Sequence, residues 1–210
     1  MNQAVEAIFQ ILVLIFSVVI HEVSHGTVAY ALGDSTAKDE GRLTLNPLKH
    51  LDPFGSVVLP LITYFAGGFV FGWARPVPYN PMNLRSKKWF GFRPEALVGI
   101  AGPASNVAVA LIFGLLLRFS SALALPTAFL QIAFYITFLN IVLAVFNLVP
   151  LPPLDGSKVL FALLPPRLSH IQNTLEQYGI FLLLLFIFFF SWILIPVAAG
   201  IFRLITGAYI

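Results

Sequence analysis

Residues 21–25 of the chain read H-E-V-S-H, a spacing that could build a metal-dependent hydrolytic centre. On a helix, side chains at positions i and i+4 share one face, so His21 and His25 can direct their imidazoles at one metal ion. Glu22 can then act as general base toward a water at that metal, as in zinc metalloproteases. The motif predicts His21 and His25 as zinc ligands and Glu22 as the base.

The surroundings of this motif favour the metal interpretation. It lies inside an apolar run over residues 5–32, and about 20 residues suffice to cross a bilayer. Charged side chains at a transmembrane helix centre cost roughly 2.5–3.5 kcal/mol each on insertion scales, and a bound cation would offset that cost. The alternative is a pair of core histidines hydrogen-bonded to neighbouring helices, which burial in a membrane makes less favourable.

The composition places the whole chain in a membrane. Of 210 residues, 59% are hydrophobic and only 10% are charged, whereas soluble domains carry about 25% charged residues. We therefore predict an all-α polytopic membrane protein, with residues 1–210 forming one intramembrane domain in contact with the lipid bilayer and with no nucleic acid partner. The chain has no cysteine, so metal ligands must come from His, Asp or Glu.

Five apolar stretches predict about five to six transmembrane helices. They cover residues 5–32, 54–71, 96–119, 129–149 and 179–205. Pro196 should kink or split the last stretch, because proline cannot continue a regular helix.

Loop charges predict the orientation. Basic residues in the segments 33–53 and 72–95 flank the second stretch, and Lys and Arg mark the cytoplasmic side. Both segments lie on that side if residues 54–71, which contain proline and glycine, form a re-entrant or short β/loop element. The alternative is one short transmembrane helix. The first interpretation places the histidines in the cytoplasmic half of a cell membrane.

Asp155 is the candidate for a third ligand. A catalytic zinc usually has three protein ligands and a water, and Asp155 is the only acidic residue between Glu95 and Glu176. The predicted topology brings it to the same side as the histidines. The alternative is an ordinary N-cap of the helix that follows.

These motifs together resemble a known family. Residues 147–156 match N-x-x-P-x-P-x-L-D-G at every defined position, and residues 102–106 resemble G-P-x-x-N. Segments 46–53 and 75–81 are also similar to family segments. On these residues the chain resembles a minimal site-2 protease, an intramembrane zinc metalloprotease, over residues 20–156. We expect the bare catalytic core, without a PDZ or CBS domain.

The resemblance implies a set of roles. His21, His25 and Asp155 would bind one Zn²⁺ ion, Glu22 would be the general base, and Asn147 would steady the substrate or the oxyanion. The substrate would be a single-pass membrane protein, cut in or near its transmembrane segment. An amide such as Asn147 can equally form an ordinary interhelical hydrogen bond. The oligomeric state stays open.

Other polar residues carry weaker hypotheses. Asn106 is open between a functional and a packing role, while Asn140 is predicted to form an interhelical hydrogen bond. His50 and His170 are predicted to be solvated or hydrogen-bonded, because neither has a second ligand at helical spacing. Asp52 before a proline is predicted as a turn residue first and a substrate contact second.

Two further function classes compete with the protease. A divalent-cation transporter would also place His and Asp in a membrane, but it predicts polar residues through the outer halves of the helices, which are almost absent here. A catalytically inactive scaffold has no need for complete metal motifs. If the protease hypothesis holds, the segments 41–45 and 69–73 could offer strand edges for an extended substrate.

Overall fold

The computed structural model describes residues 3–58, 62, 75–85 and 93–207. In these ranges the chain forms helices, turns and loops, and none of them contains a strand. The helices are α1 (Gln3–Ala31), α2 (Thr36–Asp39), α3 (Pro94–Arg118), α4 (Thr127–Asn147), α5 (Asp155–Leu163), α6 (Ser169–Phe190) and α7 (Leu194–Thr206). Pro53–Val58 forms a π-helical turn, and 3₁₀ turns cover Pro47–Lys49, Pro81–Asn83, Pro166–Leu168 and Ser191–Ile193.

Four segments among the described residues are long and apolar enough to cross a membrane. They are Ile8–Ala31, Pro94–Arg118, Thr127–Asn147 and Ser169–Thr206. The predicted all-helical architecture is therefore confirmed for the described part of the chain, with four candidate membrane-spanning segments. The count of five to six spans stays a prediction, as does the re-entrant element at 54–71, since residues 59–61 and 63–74 lie outside the described ranges.

The last of these segments is broken, as its proline predicts. It is 38 residues long, and the turn Ser191–Ile193 separates α6 from α7. Pro196 lies in the first turn of α7, where its missing N–H and its ring are tolerated. A continuous helix through Trp192 would instead bring the Trp192 carbonyl against the Pro196 ring, so the break falls just before the proline.

Helix α3 lies at the centre of the bundle and packs against α1, α4, α5 and α7. Three glycines along α3 permit these close approaches: Gly99 faces α5, Gly102 faces α1, and Gly114 faces α4 and α7. Small residues at helix interfaces let backbones approach closely, which is the usual packing mode in membranes. The sequence of α3 thus brings α1 and α5, the two helices with the predicted metal ligands, to one side of the same helix.

The polar segments 33–50 and 75–85 meet at the C-terminal end of α1. The Arg85 N–H donates to the Leu32 carbonyl, and the Arg75 N–H donates to the His50 carbonyl. The buried Asp34 carboxylate accepts from the Asn80 N–H at 2.7 Å. These bonds attach both segments to the end of α1 that carries the H-E-V-S-H motif.

Candidate metal centre

Three side chains converge between α1 and the start of α5. Asp155 Oδ2 lies 3.0 Å from His21 Nε2 and 3.0 Å from His25 Nε2. The two Nε2 atoms are 3.1 Å apart. All three residues are buried, and Asp155 is 130 residues from His25 in the chain. The structure therefore assembles the candidate ligand set predicted from the sequence.

Local structure explains how Asp155 reaches the histidines. It is the first residue of α5, and its side chain points at the imidazoles rather than capping that helix. The preceding turn brings Gly156 against the backbone of α4's end, where an added Cβ would lie 2.5 Å from the Val149 carbonyl oxygen. Only glycine fits so close to backbone atoms, so the L-D-G sequence fixes the path of the chain beside the site.

Hydrogen bonds on the far side of each imidazole set its tautomer. His25 Nδ1 lies 2.6 Å from the Val98 carbonyl oxygen, which can only accept, so Nδ1 carries the proton. His21 Nδ1 lies 2.6 Å from Asn106 Oδ1. The Asn106 amide is oriented by its own N–H group, which donates to Asn140 Oδ1 at 2.8 Å. Each histidine therefore presents the lone pair of Nε2 to the centre.

The donor set fits a cation of the size of zinc. Two imidazole lone pairs and one carboxylate oxygen face one another, an arrangement that repels unless a positive charge, either a metal ion or shared protons, lies among them. A tetrahedral zinc with bonds of about 2.0–2.1 Å holds its ligand atoms about 3.3 Å apart, and here they are 3.0–3.1 Å apart. Two histidines and one carboxylate also form a known catalytic zinc set that leaves one position open.

Gly102 on α3 supplies the space for this centre. A Cβ added at Gly102 would lie 2.5 Å from His21 Nε2 and still closer to His25 Nε2. Heavy atoms at such distances overlap, so any side chain at this position would displace the ligand atoms. The glycine of the G-P-x-x-N segment is therefore a requirement of the site, and its asparagine, Asn106, is the partner of His21.

Glu22 is held beside the ligands by a backbone group from another part of the chain. Its Oε2 accepts from the Val77 N–H at 2.8 Å. The segment around Val77 is fixed in turn by the buried Arg42, which donates to the Arg75 carbonyl at 2.8 Å. Among the described residues, Glu22 Oε1 has no such bond, and this leaves one carboxylate oxygen for proton transfer.

Asp155 is ionised in this environment. Burial by itself raises the pKa of the carboxyl group, but hydrogen bonds with His21 and His25 and the positive charge of Lys158 hold its pKa well below the usual range. An ionised carboxylate is the form that binds a metal. The electrostatics of the site thus agree with its geometry.

Asn147, the predicted partner of the oxyanion, is not among the groups in contact with this centre. It is the last residue of α4, and its side-chain N–H donates to the Leu143 carbonyl of the same helix at 3.0 Å. A role in substrate binding would require this amide to leave that bond. The catalytic role of Asn147 stays a prediction.

Other polar residues singled out from the sequence have hydrogen-bond partners in the structure. Asn106 contacts His21, whereas Asn140 bonds Asn106 and Ser17, so the interhelical hydrogen bond predicted for Asn140 is confirmed. His50 is buried and bonds the Thr44 carbonyl, as predicted for a hydrogen-bonded histidine. Asp52 bonds the Gly55 N–H, in agreement with a turn residue.

The remaining hypotheses concern exposed or undescribed parts of the chain. The side chain of His170 is exposed, in line with the solvated alternative. The segment 41–45 forms a turn and a loop rather than a strand, so no substrate-binding edge is formed there in this structure. The second proposed edge, at 69–73, lies outside the described residues.

Comparisons with known proteins identify the family. The model of peptidase family M50 matches residues 121–190. The protein named "Putative zinc metalloprotease YwhC" from Bacillus subtilis is 44% identical over 186 residues, which cover 85% of this chain and 80% of YwhC. The chain belongs to peptidase family M50, the site-2 protease family. It is a zinc metalloprotease with apolar helices suited to a multi-pass membrane protein.

More distant relatives carry the same description. Rip2 of Mycolicibacterium smegmatis is 32% identical over 167 residues, covering 79% of this chain and 61% of Rip2. Rip2 of Mycobacterium tuberculosis strain H37Rv is 30% identical over 175 residues, covering 81% and 63%. No solved structure matches the chain. The M50 match includes Asp155 and Asn147, and the resemblance stated from the sequence is confirmed.

Proposed function

We propose that this metalloprotease is an intramembrane endopeptidase that hydrolyses a peptide bond in or near the transmembrane segment of a single-pass membrane protein. One observation carries the proposal: the Nε2 atoms of His21 and His25, on an apolar helix of transmembrane length, meet a carboxylate oxygen of Asp155 within 3.1 Å. His21, His25 and Asp155 would hold the zinc ion. A buried site on such a helix suits a substrate that arrives within the bilayer.

Each side chain has a defined part in the chemistry. When bound, zinc lowers the pKa of water toward about 7 and polarises a carbonyl group. Glu22 takes the proton of the attacking water at Oε1 and delivers it to the leaving amine, while the Val77 N–H keeps Oε2 in place. Asn147 donates to the oxyanion if its amide turns away from the Leu143 carbonyl.

The substrate must meet one further physical demand. The carbonyl groups of a transmembrane helix are engaged in hydrogen bonds within the helix. The substrate therefore unwinds locally before its scissile carbonyl can be attacked, and cleavage is expected near helix-breaking residues or helix ends. The positions of the cuts are for this reason as informative as the loss of the intact substrate.

The orientation is part of the proposal. The segments 33–50 and 75–85 include Lys38, Arg42, Lys49, Arg75 and Arg85 and are bonded together at the C-terminal end of α1. Their shared location supports a cytoplasmic site and also a re-entrant path for residues 54–71. We assign the active site to the cytoplasmic half of the cell membrane.

Glu22→Gln tests the function. Bound zinc is measured by elemental analysis of purified protein, and membrane-protein fragments are compared by proteomics between cells that express the wild type and cells that express the variant. We expect one zinc ion per chain in both proteins, with fragments ending in or beside transmembrane segments only for the wild type. Unchanged fragments with Glu22→Gln would contradict the role of the base, and zinc flux in proteoliposomes without cleavage would favour a transporter.

A further inference from the structure

We propose that Lys158 is a positioning residue of the metal centre, which keeps Asp155 bound to the metal through one oxygen only. The proposal rests on the proposed function and its ligand set. It assigns a role to a lysine three residues after the ligand, on the next turn of α5. Lys158 acts through Asp155 and needs no contact with the substrate.

The two oxygens of Asp155 have different partners. Oδ2 lies 3.0 Å from both histidine Nε2 atoms, while Oδ1 accepts from Lys158 Nζ at 3.0 Å. A carboxylate can bind a cation through one or both of its oxygens. Here the ammonium group occupies the oxygen that the second mode would need.

Two other parts of the chain, α3 and the segment 75–85, restrain the side chain of Lys158. Its stem passes α3 at Gly99, where an added Cβ would lie 2.9 Å from Lys158 Cβ. Its ammonium group lies 5.4 Å from the ring centroid of Tyr79, within the range of a cation–π contact. The side chain is 29% exposed, compared with 9% for that of Asp155. A surface lysine free to adopt many rotamers would lack these restraints.

The contact between Lys158 and Asp155 joins an ammonium group and a carboxylate. Nζ lies 3.0 Å from Oδ1, and because an ammonium group can only donate, Oδ1 is the acceptor. The bond is charge-assisted, which makes it stronger than a neutral hydrogen bond.

Loss of Lys158 would leave Oδ1 as a nearly buried anionic oxygen without this partner. The nearest remaining cation would be the metal, so Asp155 would turn to bind it through both oxygens. That change would fill the position that a catalytic zinc site leaves open for water. The expected result is a loaded but poorly active enzyme, with metal affinity or activity altered about 10–100-fold, the usual range for such outer partners.

The experiment compares Lys158→Met with Lys158→Arg in the full-length protein in detergent, loaded with Co²⁺ or Zn²⁺. We expect Lys158→Met to change the cobalt absorption spectrum from four-coordinate to five-coordinate, with X-ray absorption showing one additional oxygen at zinc. Lys158→Arg keeps a charged donor and should retain the wild-type spectrum. A wild-type spectrum together with wild-type zinc affinity in Lys158→Met would overturn the proposal.

Lys38→Met provides a matched control. Lys38 also places its Nζ over a tyrosine ring, 4.6 Å from the Tyr30 centroid, but it bonds the Tyr30 hydroxyl and no carboxylate of the centre. Its removal should leave the cobalt spectrum unchanged, and a changed spectrum would overturn the assignment of the effect to Asp155. If Lys158→Met does not fold, Lys158→Leu, which likewise has no donor for Oδ1, replaces it under the same criteria.

Two further variants test the proposed ligand set separately from the role of Lys158. Asp155→Asn and His21→Ala should each lose stoichiometric zinc. If they retain it, the proposed ligand set is wrong, whatever Lys158→Met does. If they lose it while Lys158→Met matches the wild type in spectrum and affinity, only the role of Lys158 is wrong.

Discussion

The two ends of α3 show two ways of packing the same helix. At the metal end, Gly102 lies against the imidazoles of His21 and His25, and Asn106 donates to and accepts from buried polar groups. At the other end, Gly114 lies beside Ile205, within an apolar cluster that includes Phe202. Both ends use small residues for close approach. The two ends differ in their neighbours: polar atoms held by directional hydrogen bonds at the metal end, and apolar groups held only by packing at the other.

Gly102→Ala should have the largest effect on zinc binding, because it adds a methyl group at the metal end of α3, where the neighbouring atoms cannot move away. The new methyl group would occupy the space of two ligand nitrogens that are held in place from behind by Asn106 and the Val98 carbonyl. We expect zinc binding and proteolysis to be lost, as measured by elemental analysis and by cleavage fragments.

Gly114→Ala is the control at the apolar end of the same helix. Its methyl group would meet Ile205 Cγ2 at 2.5 Å and Thr137 Cγ2 at 3.2 Å, which are methyl groups outside the metal centre. Zinc content should match the wild type. Equal zinc loss in both variants would show that α3 responds to any added methyl, and the contrast between the two ends would be wrong.

Phe202→Ala tests the apolar end directly. Phe202 is 2% exposed, and its ring packs edge-on against Phe134 at 5.1 Å between centroids. Truncation of a buried Phe costs about 3–5 kcal/mol in soluble cores, and we expect a loss near the lower end of that range. Unfolding in detergent measures the loss, while zinc affinity of the folded protein should stay unchanged. A weakened zinc site would mean that the two ends are coupled.

Asn106→Leu weakens the metal end without adding bulk to the ligand position. The variant removes the acceptor that fixes the proton on His21 Nδ1, so Nε2 no longer has an assured lone pair. We expect zinc affinity to fall about 10–100-fold, as measured by competition with a chelator. Asn140→Leu, one bond further from the metal, should have a smaller effect. An equal or larger effect of Asn140→Leu would contradict this order.

The candidate ligands could be proposed from the sequence because the types and spacing of their side chains are visible there. The i, i+4 spacing of His21 and His25, and an isolated aspartate in an apolar region, needed only helix geometry and loop charges. Groups from the backbone could not be found in this way. The Val98 carbonyl behind His25 and the Val77 N–H on Glu22 are groups of a kind that nearly every residue carries, so only the fold shows which ones are used.

Helix boundaries were predicted well where apolar residues defined them. The predicted third and fourth stretches, 96–119 and 129–149, agree with α3 and α4 to within about two residues at each end. The last stretch was predicted to begin near Gly179, but α6 begins at Ser169. Its first ten residues are largely polar, so hydropathy alone could not separate a helical extension from a loop.

Asp34→Asn tests a second set of buried hydrogen bonds, just after the end of α1 that carries the metal ligands. Burial by itself raises the pKa of Asp34, but hydrogen bonds from Thr36, Asn83 and the Asn80 N–H outweigh it and lower the pKa. A lowered pKa in the folded state means that the carboxylate stabilises the fold fully above its unfolded pKa of about 3.9. This contribution is lost as the pH falls through the folded-state value. An amide at this position can accept fewer of these bonds.

Metal-free protein is the right sample for this last test, because acid also releases zinc from its ligands. At pH 6, Asp34→Asn should lower the free energy of unfolding by about 1–3 kcal/mol. The difference in unfolding free energy between the variant and the wild type should narrow at pH 3, because Asp34 of the unfolded wild-type chain is then largely protonated and must lose that proton on folding. Asp39→Asn, a change at an exposed carboxylate bonded to the Ser35 hydroxyl, should show a small gap at both values. The loss of unfolding free energy in Asp34→Asn could instead be the same at pH 6 and pH 3. The ionised carboxylate would then not be what holds the segment 80–83 to the end of α1.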